Sequence, residues 1–163
     1  MKILFLQTGG TIDKDYPRSS NGWAFEIHEP AVQRILKKLN PSFTFEIKSV
    51  FKKDSLEIDQ KDRALLLEAC SNSNENKIII THGTDTIIET AAYLSKIKNK
   101  TIVLTGAMRP EKFTDSDADL NIGMAIAGIQ TLSDGVYISM HGVIDRQENI
   151  DRNPKTGQYF IKK

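Results

Sequence analysis

The sequence predicts an α/β domain with a doubly wound, mostly parallel sheet and helices on both faces. Short apolar segments typical of strands alternate along the chain with longer segments whose apolar residues repeat every three to four positions. This alternation indicates parallel strands that are joined by helices. Several strand-like segments also end in turns rich in Thr and Gly. Because 163 residues suffice for one sizeable core, we expect a single domain over residues 1–163.

The first half of the chain contains three strand-like segments and two helix-like segments. Residues 2–7, with an apolar run at 3–6, and the apolar residues 78–80 predict strands, and so do residues 43–51, which alternate between apolar and polar side chains. One helix is expected from about Pro30, and Asp59 can cap a second. Their apolar stripes are Val32, Ile35, Leu36 and Leu39 in the first helix, and Leu65, Leu66, Leu67, Ala69 and Cys70 in the second.

The second half repeats the pattern twice more. Thr86 and Glu89 have the spacing of a capping box at the start of a third helix. Residues 101–104 predict a strand, residues 116–132 a fourth helix, and residues 136–140 the last strand. The expected apolar faces are Ile87, Ile88, Ala91, Ala92 and Leu94 in the third helix, and Leu120, Met124, Ala127 and Thr131 in the fourth.

Charge and composition limit the possible partners. Lys and Arg (22) nearly balance Asp and Glu (21), so no strong field favours nucleic acid or a membrane surface, and a small polar molecule is the expected partner. The single cysteine excludes an internal disulfide. The apolar part of the N-terminus is too short for a secretory signal, and no apolar run approaches the roughly 20 residues that span a bilayer. We therefore expect a cytoplasmic protein.

Three Thr- and Gly-rich turns follow strands, at residues 8–11, 81–86 and 105–109. The carboxyl ends of parallel strands lie at one edge of the sheet, so we expect these turns to converge. Together they would present the hydroxyls of Thr11 and Thr84, the carboxylate of Asp85 and backbone N–H groups beside glycines. A threonine becomes a nucleophile when a base takes its proton. The sequence therefore predicts a site for acyl transfer on a small carboxylated substrate.

Other site classes find no support in the sequence. Neither G-x-G-x-x-G nor G-x-x-x-x-G-K-[ST] occurs, so a phosphate-cradling loop for a nucleotide cofactor is not predicted. The histidines His28, His82 and His141 do not have the spacing of metal ligands. We interpret His82 as a packing or hydrogen-bonding residue beside the site.

The motifs at residues 8–12, 82–86 and 106–110, in that order, resemble those of the bacterial-type L-asparaginases. The resemblance covers essentially the whole chain and corresponds to the larger N-terminal domain of that family. It implies hydrolysis of asparagine to aspartate and ammonia through a threonine nucleophile and an acyl-enzyme, without a cofactor. Glutamine is a second possible substrate, and a homo-oligomer is implied. The family's smaller C-terminal domain, which gives a carboxylate to the neighbouring subunit's site, is expected to be absent.

The resemblance also assigns roles to individual residues. Thr11 matches the nucleophile, while Thr84 and Asp85 match the residues that bind the substrate amino group and help activate a hydroxyl. Ser55 matches the serine that holds the α-carboxylate, although Leu56 follows it where many members have glutamine. The remaining substrate-binding positions are backbone groups at Gly10, Gly83 and Ala107, the last through its carbonyl.

Two roles have more than one candidate. The family's flap tyrosine is assigned to Tyr16, because Trp23 and Phe25 in the same stretch lack a hydroxyl, and residues 13–24 with the Asn21-Gly22 turn fit a closing lid. The family's catalytic lysine is matched by pattern to Arg152 and by residue type to Lys155. An arginine keeps the charge but cannot exchange a proton. Arg109 is interpreted as a structural residue that ties its loop to a carboxylate.

Two further functions stay open. The short chain, Leu56 and the alternative between Arg152 and Lys155 favour a catalytically weak module that binds asparagine or aspartate. A third hypothesis is an amidotransferase-linked amidase that works on an aminoacylated RNA, and the lack of a basic surplus counts against it.

Overall fold

The fold is built on one six-stranded sheet, in a computed structural model that describes residues 1–18 and 25–163. Within these ranges the strands are β1 (Lys2–Gly9), β2 (Lys14–Asp15), β3 (Glu26–Ile27), β4 (Thr44–Lys53), β5 (Lys77–Thr81), β6 (Thr101–Thr105), β7 (Gly135–Met140), β8 (Val143–Arg146), β9 (Ile150–Arg152) and β10 (Tyr159–Ile161). The central sheet has the order β4-β1-β5-β6-β7-β8, and all its neighbours are parallel except β7 and β8. The predicted doubly wound, mostly parallel sheet is confirmed.

In the described part of the chain, four helices cover the two faces of this sheet. They are α1 (Ala31–Leu39), α2 (Gln60–Ser71), α3 (Ile87–Leu94) and α4 (Ala118–Thr131). Helices α1 and α4 pack with Phe5, Ile79 and Val103 on one face, and α2 and α3 pack with Leu4, Ile80 and Leu104 on the other. Successive side chains of a strand point to opposite faces, so the uninterrupted apolar runs of β1, β5 and β6 supply both cores. None of the described helices is long and apolar enough to cross a membrane.

The predicted apolar face is wrong in α4, whereas in α2 it is wrong only at Leu65, because Leu66 and Cys70 are buried and Leu67 and Ala69 pack against the core. In α4, Leu120 is 78% exposed, and the buried stripe is offset from the predicted one. Its members are Ala118, Asn121, Ile122, Ala125, Ile126 and Ile129. Three isoleucines bury more apolar surface than the predicted Leu120, Met124, Ala127 and Thr131 would. In α2, Leu65 is exposed while Arg63 is buried, because Arg63 donates to Thr90 Oγ1 and pairs with Glu89.

Helix starts agree only in part with the predicted caps. Asp59 caps α2 as predicted, and its carboxylate accepts from the N–H groups of Lys61 and Asp62. The predicted capping box at Thr86 does not form. The Thr86 hydroxyl donates instead to the carbonyl of Ser55 at 2.8 Å, and Glu89 pairs with Arg63. A long-range contact therefore replaces the local one and ties the start of α3 to the turn after β4.

Short strands continue past β7, where the sequence indicated none. Strand β8 adds antiparallel to β7, and β9 pairs with β10 in a separate hairpin. This hairpin brings Arg152 and Tyr159 opposite each other in register. The β9–β10 hairpin lies beside the carboxyl edge of the sheet.

Candidate active site

Three glycines bring the turns at the carboxyl edge of the sheet into backbone contact. A Cβ atom at Gly10 would lie 2.3 Å from Gly83 Cα, and one at Gly106 would lie 2.3 Å from the carbonyl oxygen of His82. A Cβ atom at Gly83 would lie 2.6 Å from Ser55 Cβ. Only glycine permits such close approach. The turns that carry Thr11, Thr84 and Asp85, together with Ser55, therefore meet at one point as the sequence predicts.

Thr11 begins a short 3₁₀ turn, Thr11–Asp13, at the end of β1. Gly10 precedes it with φ of 85°, a conformation that L side chains rarely adopt. The N–H of Gly10 donates to the Lys53 carbonyl at 3.0 Å, so Gly10 contributes close backbone approach rather than a free donor. Among the described residues, the Thr11 hydroxyl and the Thr11 N–H have no hydrogen-bond partner. Both groups are therefore available to a substrate.

Ser55 lies beneath the turn that carries Asp85. It is 2% exposed, and its Oγ accepts from the N–H of Asp85 at 3.2 Å. The hydroxyl proton of Ser55 is left for another acceptor, as recognition of a substrate carboxylate requires. Leu56, the next residue, is exposed, and its side chain has no polar group to offer a substrate.

Arg152 reaches the Thr84–Asp85 turn from the β9–β10 hairpin. Its Nη1 donates to Asp85 Oδ1 at 2.8 Å and to the Thr84 carbonyl at 3.3 Å, and its Nε donates to the Gly157 carbonyl at 3.1 Å. Lys155 lies in the exposed turn of the same hairpin, where its N–H donates to Asn153 Oδ1 at 2.9 Å. The structure therefore brings Arg152, and not Lys155, to the Thr84–Asp85 turn.

Sequence reasoning missed Tyr159. This buried side chain donates its hydroxyl proton to the Thr84 carbonyl, and burial raises its pKa to about 12. The phenol therefore stays protonated and remains a donor at neutral pH. A hydroxyl-bearing aromatic residue two positions after Gly157 was the only available signal, and its partner is 75 positions away in the chain.

The loop after β6 is held by Asp117 and Asn121. The Asp117 carboxylate accepts from the N–H groups of Met108 and Arg109, and Asn121 Nδ2 donates to the Gly106 carbonyl at 3.0 Å. Arg109 pairs with Asp115, which confirms its predicted structural role. Ala107 is buried between these anchors, so the position of its carbonyl is fixed.

His82 is fully buried beside the site. Its Nδ1 donates to the Gly83 carbonyl at 2.8 Å, and burial lowers its pKa to about 4. The ring is therefore neutral at physiological pH. This confirms the interpretation of His82 as a packing and hydrogen-bonding residue.

Tyr16 lies on the protein surface. It is 69% exposed, its ring centroid is 5.1 Å from that of Phe25, and its carbonyl accepts from His28 Nε2 at 3.1 Å. The structure does not bring its hydroxyl into hydrogen-bond contact with Thr11 or Thr84 within the described ranges. Trp23 and the predicted Asn21-Gly22 turn lie outside the described residues.

An ion pair links Lys14, in β2, to the residue that precedes the short turn at Ser55. Lys14 Nζ is 2.6 Å from Asp54 Oδ2, and this hydrogen bond holds the pKa of the Asp54 carboxyl below its usual range. Asp54 also caps the short turn that begins at Ser55. Lys14, three positions after Thr11, is thus linked to Asp54, one position before Ser55.

No cluster of three His, Cys, Asp or Glu side chains within residues 1–18 and 25–163 could hold a metal ion.

Asp13, two positions after Thr11, carries a buried carboxyl group. Oδ1 accepts from the N–H of Ala31 at the start of α1 at 2.7 Å, whereas Oδ2 has no partner among the described residues. Burial raises the pKa of this group to about 6, although the hydrogen bond from Ala31 opposes the shift. The folded state therefore binds a proton more tightly than the unfolded chain does.

This shift predicts a pH dependence of stability. Protonation of Asp13 removes a buried charge, so its contribution to folding becomes more favourable as pH falls from about 7 to 5 and less favourable as pH rises through its pKa of about 6. Asp13→Asn is neutral at every pH and lacks this dependence. We expect the difference in unfolding free energy between the wild type and Asp13→Asn to move by about 1 kcal/mol in favour of the wild type over that interval. Urea unfolding at both pH values measures it, and a constant difference would contradict the assignment.

Comparison with known proteins places this geometry in a family context. Residues 2–156 match the family model described as "Asparaginase, N-terminal". A component of the Glutamyl-tRNA(Gln) amidotransferase of Methanococcus vannielii is 34% identical over 150 residues, which cover 88% of this chain and 35% of the relative. The glutaminase-asparaginase of Pseudomonas fluorescens biotype A is 25% identical over 162 residues, 92% of this chain and 45% of the relative.

A solved structure has the same fold. The thermostable L-asparaginase from Thermococcus kodakarensis superimposes with a TM-score of 0.85 at 26% identity, over 99% of this chain and 51% of that one. The chain thus spans between about a third and a half of the length of these relatives.

Proposed function

Because the chain belongs to the asparaginase family, we propose that it hydrolyses the side-chain amide of asparagine to give aspartate and ammonia. The observation that carries the proposal is the close approach of Gly10 to the Gly83 backbone and of Gly83 to the Ser55 side chain. It gathers a free threonine hydroxyl, a carboxylate and a serine hydroxyl around one small volume. These groups match the reacting amide, the ammonium and the α-carboxylate of an amino acid amide.

In the proposed reaction, Thr11 Oγ attacks the amide carbon of the substrate. The N–H of Thr11 donates to the developing oxyanion, since among the described residues it has no other acceptor. The carbon–nitrogen bond breaks, the nitrogen leaves as ammonia with the proton that Thr11 gives up, and an ester to Thr11 remains. Water then hydrolyses the ester and releases aspartate. Tyr16, on the segment that would close over the site, is the candidate proton relay.

Asp85 and Ser55 would orient the substrate. The Asp85 side chain is 46% exposed and keeps its second oxygen, Oδ2, for the substrate ammonium group, while Oδ1 accepts from Arg152. Ser55 would donate to the α-carboxylate. Ala107 would accept from the substrate amide through its carbonyl, as the family resemblance implies.

Arg152 would act as a fixed positive charge. A guanidinium does not lose its proton in proteins, so it can stabilise a negative charge near Thr84 and Asp85 but cannot shuttle protons. Its three hydrogen bonds to Asp85, Thr84 and Gly157 support this role. Any proton transfer would then pass through hydroxyl groups and water.

We expect Arg152→Met to lower kcat/KM for asparagine by about 10² to 10³-fold, because an electrostatic contact to the site is lost. Arg152→Lys keeps the charge and should retain activity within about tenfold of the wild type. Lys155→Met is the matched control, since Lys155 is exposed, and its activity should equal that of the wild type. Steady-state ammonia release measures all three. A large loss in Lys155→Met with an active Arg152→Met would reverse the assignment.

Substrate choice is tested by comparing asparagine with glutamine. The glutaminase activity named for one relative makes the glutamine side chain the second candidate. We expect saturable ammonia release with asparagine and a lower kcat/KM with glutamine. Calorimetry with aspartate, run beside the ammonia assay, separates catalysis from the alternative of a binding module. Tight aspartate binding without ammonia release from either amide would favour that alternative.

A further inference from the structure

We propose that two copies of this chain associate through β4, which would pair antiparallel with β4 of the second copy about a two-fold axis at Ile47. The two six-stranded sheets would then form one continuous sheet. This interface goes beyond the proposed hydrolysis and does not depend on it. It lies on the opposite side of β4 from β1, away from the Thr11 turn.

The outer edge of β4 offers unpaired backbone groups. Among the described residues β4 pairs with β1 alone, in parallel register from Thr44 to Ser49 before the register shifts. The N–H of Thr44 donates to the Met1 carbonyl, so the even-numbered residues direct their backbone groups towards β1. The odd-numbered residues Phe45, Ile47 and Ser49 therefore direct theirs outward, where they can pair with another strand.

This alternation restricts the register of an added strand. Outward-facing residues must oppose outward-facing residues, so the axis passes through a residue position and not between two residues. An axis at Glu46 or at Lys48 would place two like charges directly opposite each other, so the odd positions are favoured. An axis at Ile47 places Phe45 opposite Ser49 of the second copy, with three hydrogen-bonded residue pairs in all. The regular part of β4, residues 45–49, is long enough for this pairing.

Charge selects the axis at Ile47 from the alternatives. In that register Glu46 lies directly opposite Lys48 of the second copy, twice by symmetry, in the pairs where side chains approach most closely. An axis at Ser49 would place Lys48 opposite Val50, and an axis at Phe45 would place it opposite Ser42. Glu46 already contacts Lys48 and Lys2 of its own chain at 2.8 and 3.1 Å, so its carboxylate would be shared. Such exposed pairs fix register more than they add affinity.

Shape on the α1 side of the strand supports the same register. A groove of about 780 Å³ runs between α1 and β4, and Pro30, Leu36, Pro41, Phe45, Ile47 and Ser49 contribute to its lining. Phe45 is 42% exposed within it. In the proposed pairing the Phe45 ring of the second copy lies opposite Ser49, the smallest side chain on that face of the strand. The exposed Phe45 ring of each copy would therefore be buried in the groove between α1 and β4 of the other copy.

Charge reversal tests the pairing. Sedimentation equilibrium should show a reversible dimer for the wild type. Lys48→Glu creates two like-charge contacts with Glu46 and should raise the dissociation constant about tenfold or more. Adding Glu46→Lys to that variant restores opposite charges and should return the constant to near the wild-type value. Lys162→Glu, with the same change in net charge at the exposed end of the chain, should leave it unchanged.

Cysteine substitution tests the register itself. Ile47→Cys places two thiols across the axis at a Cα separation of about 5.5 Å, within reach of a disulfide. Ser49→Cys places them four residues apart along the strand, about 13 Å, which is too far. Under mild oxidation only Ile47→Cys should yield a covalent dimer, and the buried Cys70 should not react in the wild type. A monomeric wild type, a double reversal that does not restore association, or equal crosslinking of both cysteine variants would overturn the proposal.

Discussion

Thr11→Val should lower kcat/KM for asparagine by about 10³-fold or more, because it removes the oxygen that we propose as the nucleophile and leaves a side chain of the same shape. The fold should not change. The Thr11 hydroxyl makes no hydrogen bond to any described residue, so its loss leaves no partner unsatisfied. Ammonia release measures the activity, and urea unfolding measures the free energy of unfolding.

Thr8→Val is the matched control in the same turn. The Thr8 hydroxyl donates to the Thr81 carbonyl at 2.9 Å inside the protein, so its removal should lower the free energy of unfolding by about 1 kcal/mol. Activity should remain close to that of the wild type, since this hydroxyl is already engaged. Equal activity in Thr11→Val and the wild type would exclude Thr11 as the nucleophile.

Gly10→Ala should lower the free energy of unfolding by about 3 to 5 kcal/mol, with loss of ammonia release. Two effects add, since a side chain at φ of 85° is strained and the new Cβ would lie 2.3 Å from Gly83 Cα. Neither backbone can move without separating the Thr11 turn from the Thr84 turn. Urea unfolding gives the stability, and the ammonia assay gives the activity.

Gly123→Ala separates this effect from the general cost of replacing a glycine. Gly123 lies in α4, where an added Cβ would have no atom within 4 Å beyond its neighbours and the local helix backbone, so alanine there should stabilise the protein by about 0.5 to 1 kcal/mol. If Gly10→Ala were as stable and as active as Gly123→Ala, the backbone contact between the two turns would not be needed.

The convergence of the three turns could be predicted from the sequence, because it follows from parallel strands alone. The chain alternates strand and helix, and parallel strands bring their carboxyl ends to one edge wherever they lie along the chain. The types of Thr11, Thr84 and Asp85 then indicated the chemistry. Ser55 could be placed in the group only through the family resemblance.

The choice between Arg152 and Lys155 could not be made from local sequence. Which side chain faces Asp85 depends on the register of the β9–β10 hairpin and on its turn, where Gly157 has φ of 74°. Both depend on packing against Thr84, far away along the chain. The Tyr159 contact and the diversion of Thr86 from its capping role to the Ser55 carbonyl have the same origin. A local sequence pattern does not reveal contact partners that lie far away along the chain.

The proposed covalent step at Thr11 is tested most directly by hydroxylamine partitioning. If asparagine forms an ester with Thr11, added hydroxylamine competes with water for that ester. Aspartyl hydroxamate should then replace aspartate as the hydroxylamine concentration rises, while ammonia release continues. The hydroxamate should be absent with Thr11→Val. Aspartate as the sole product at every hydroxylamine concentration, with ammonia still released, would contradict the acyl-enzyme.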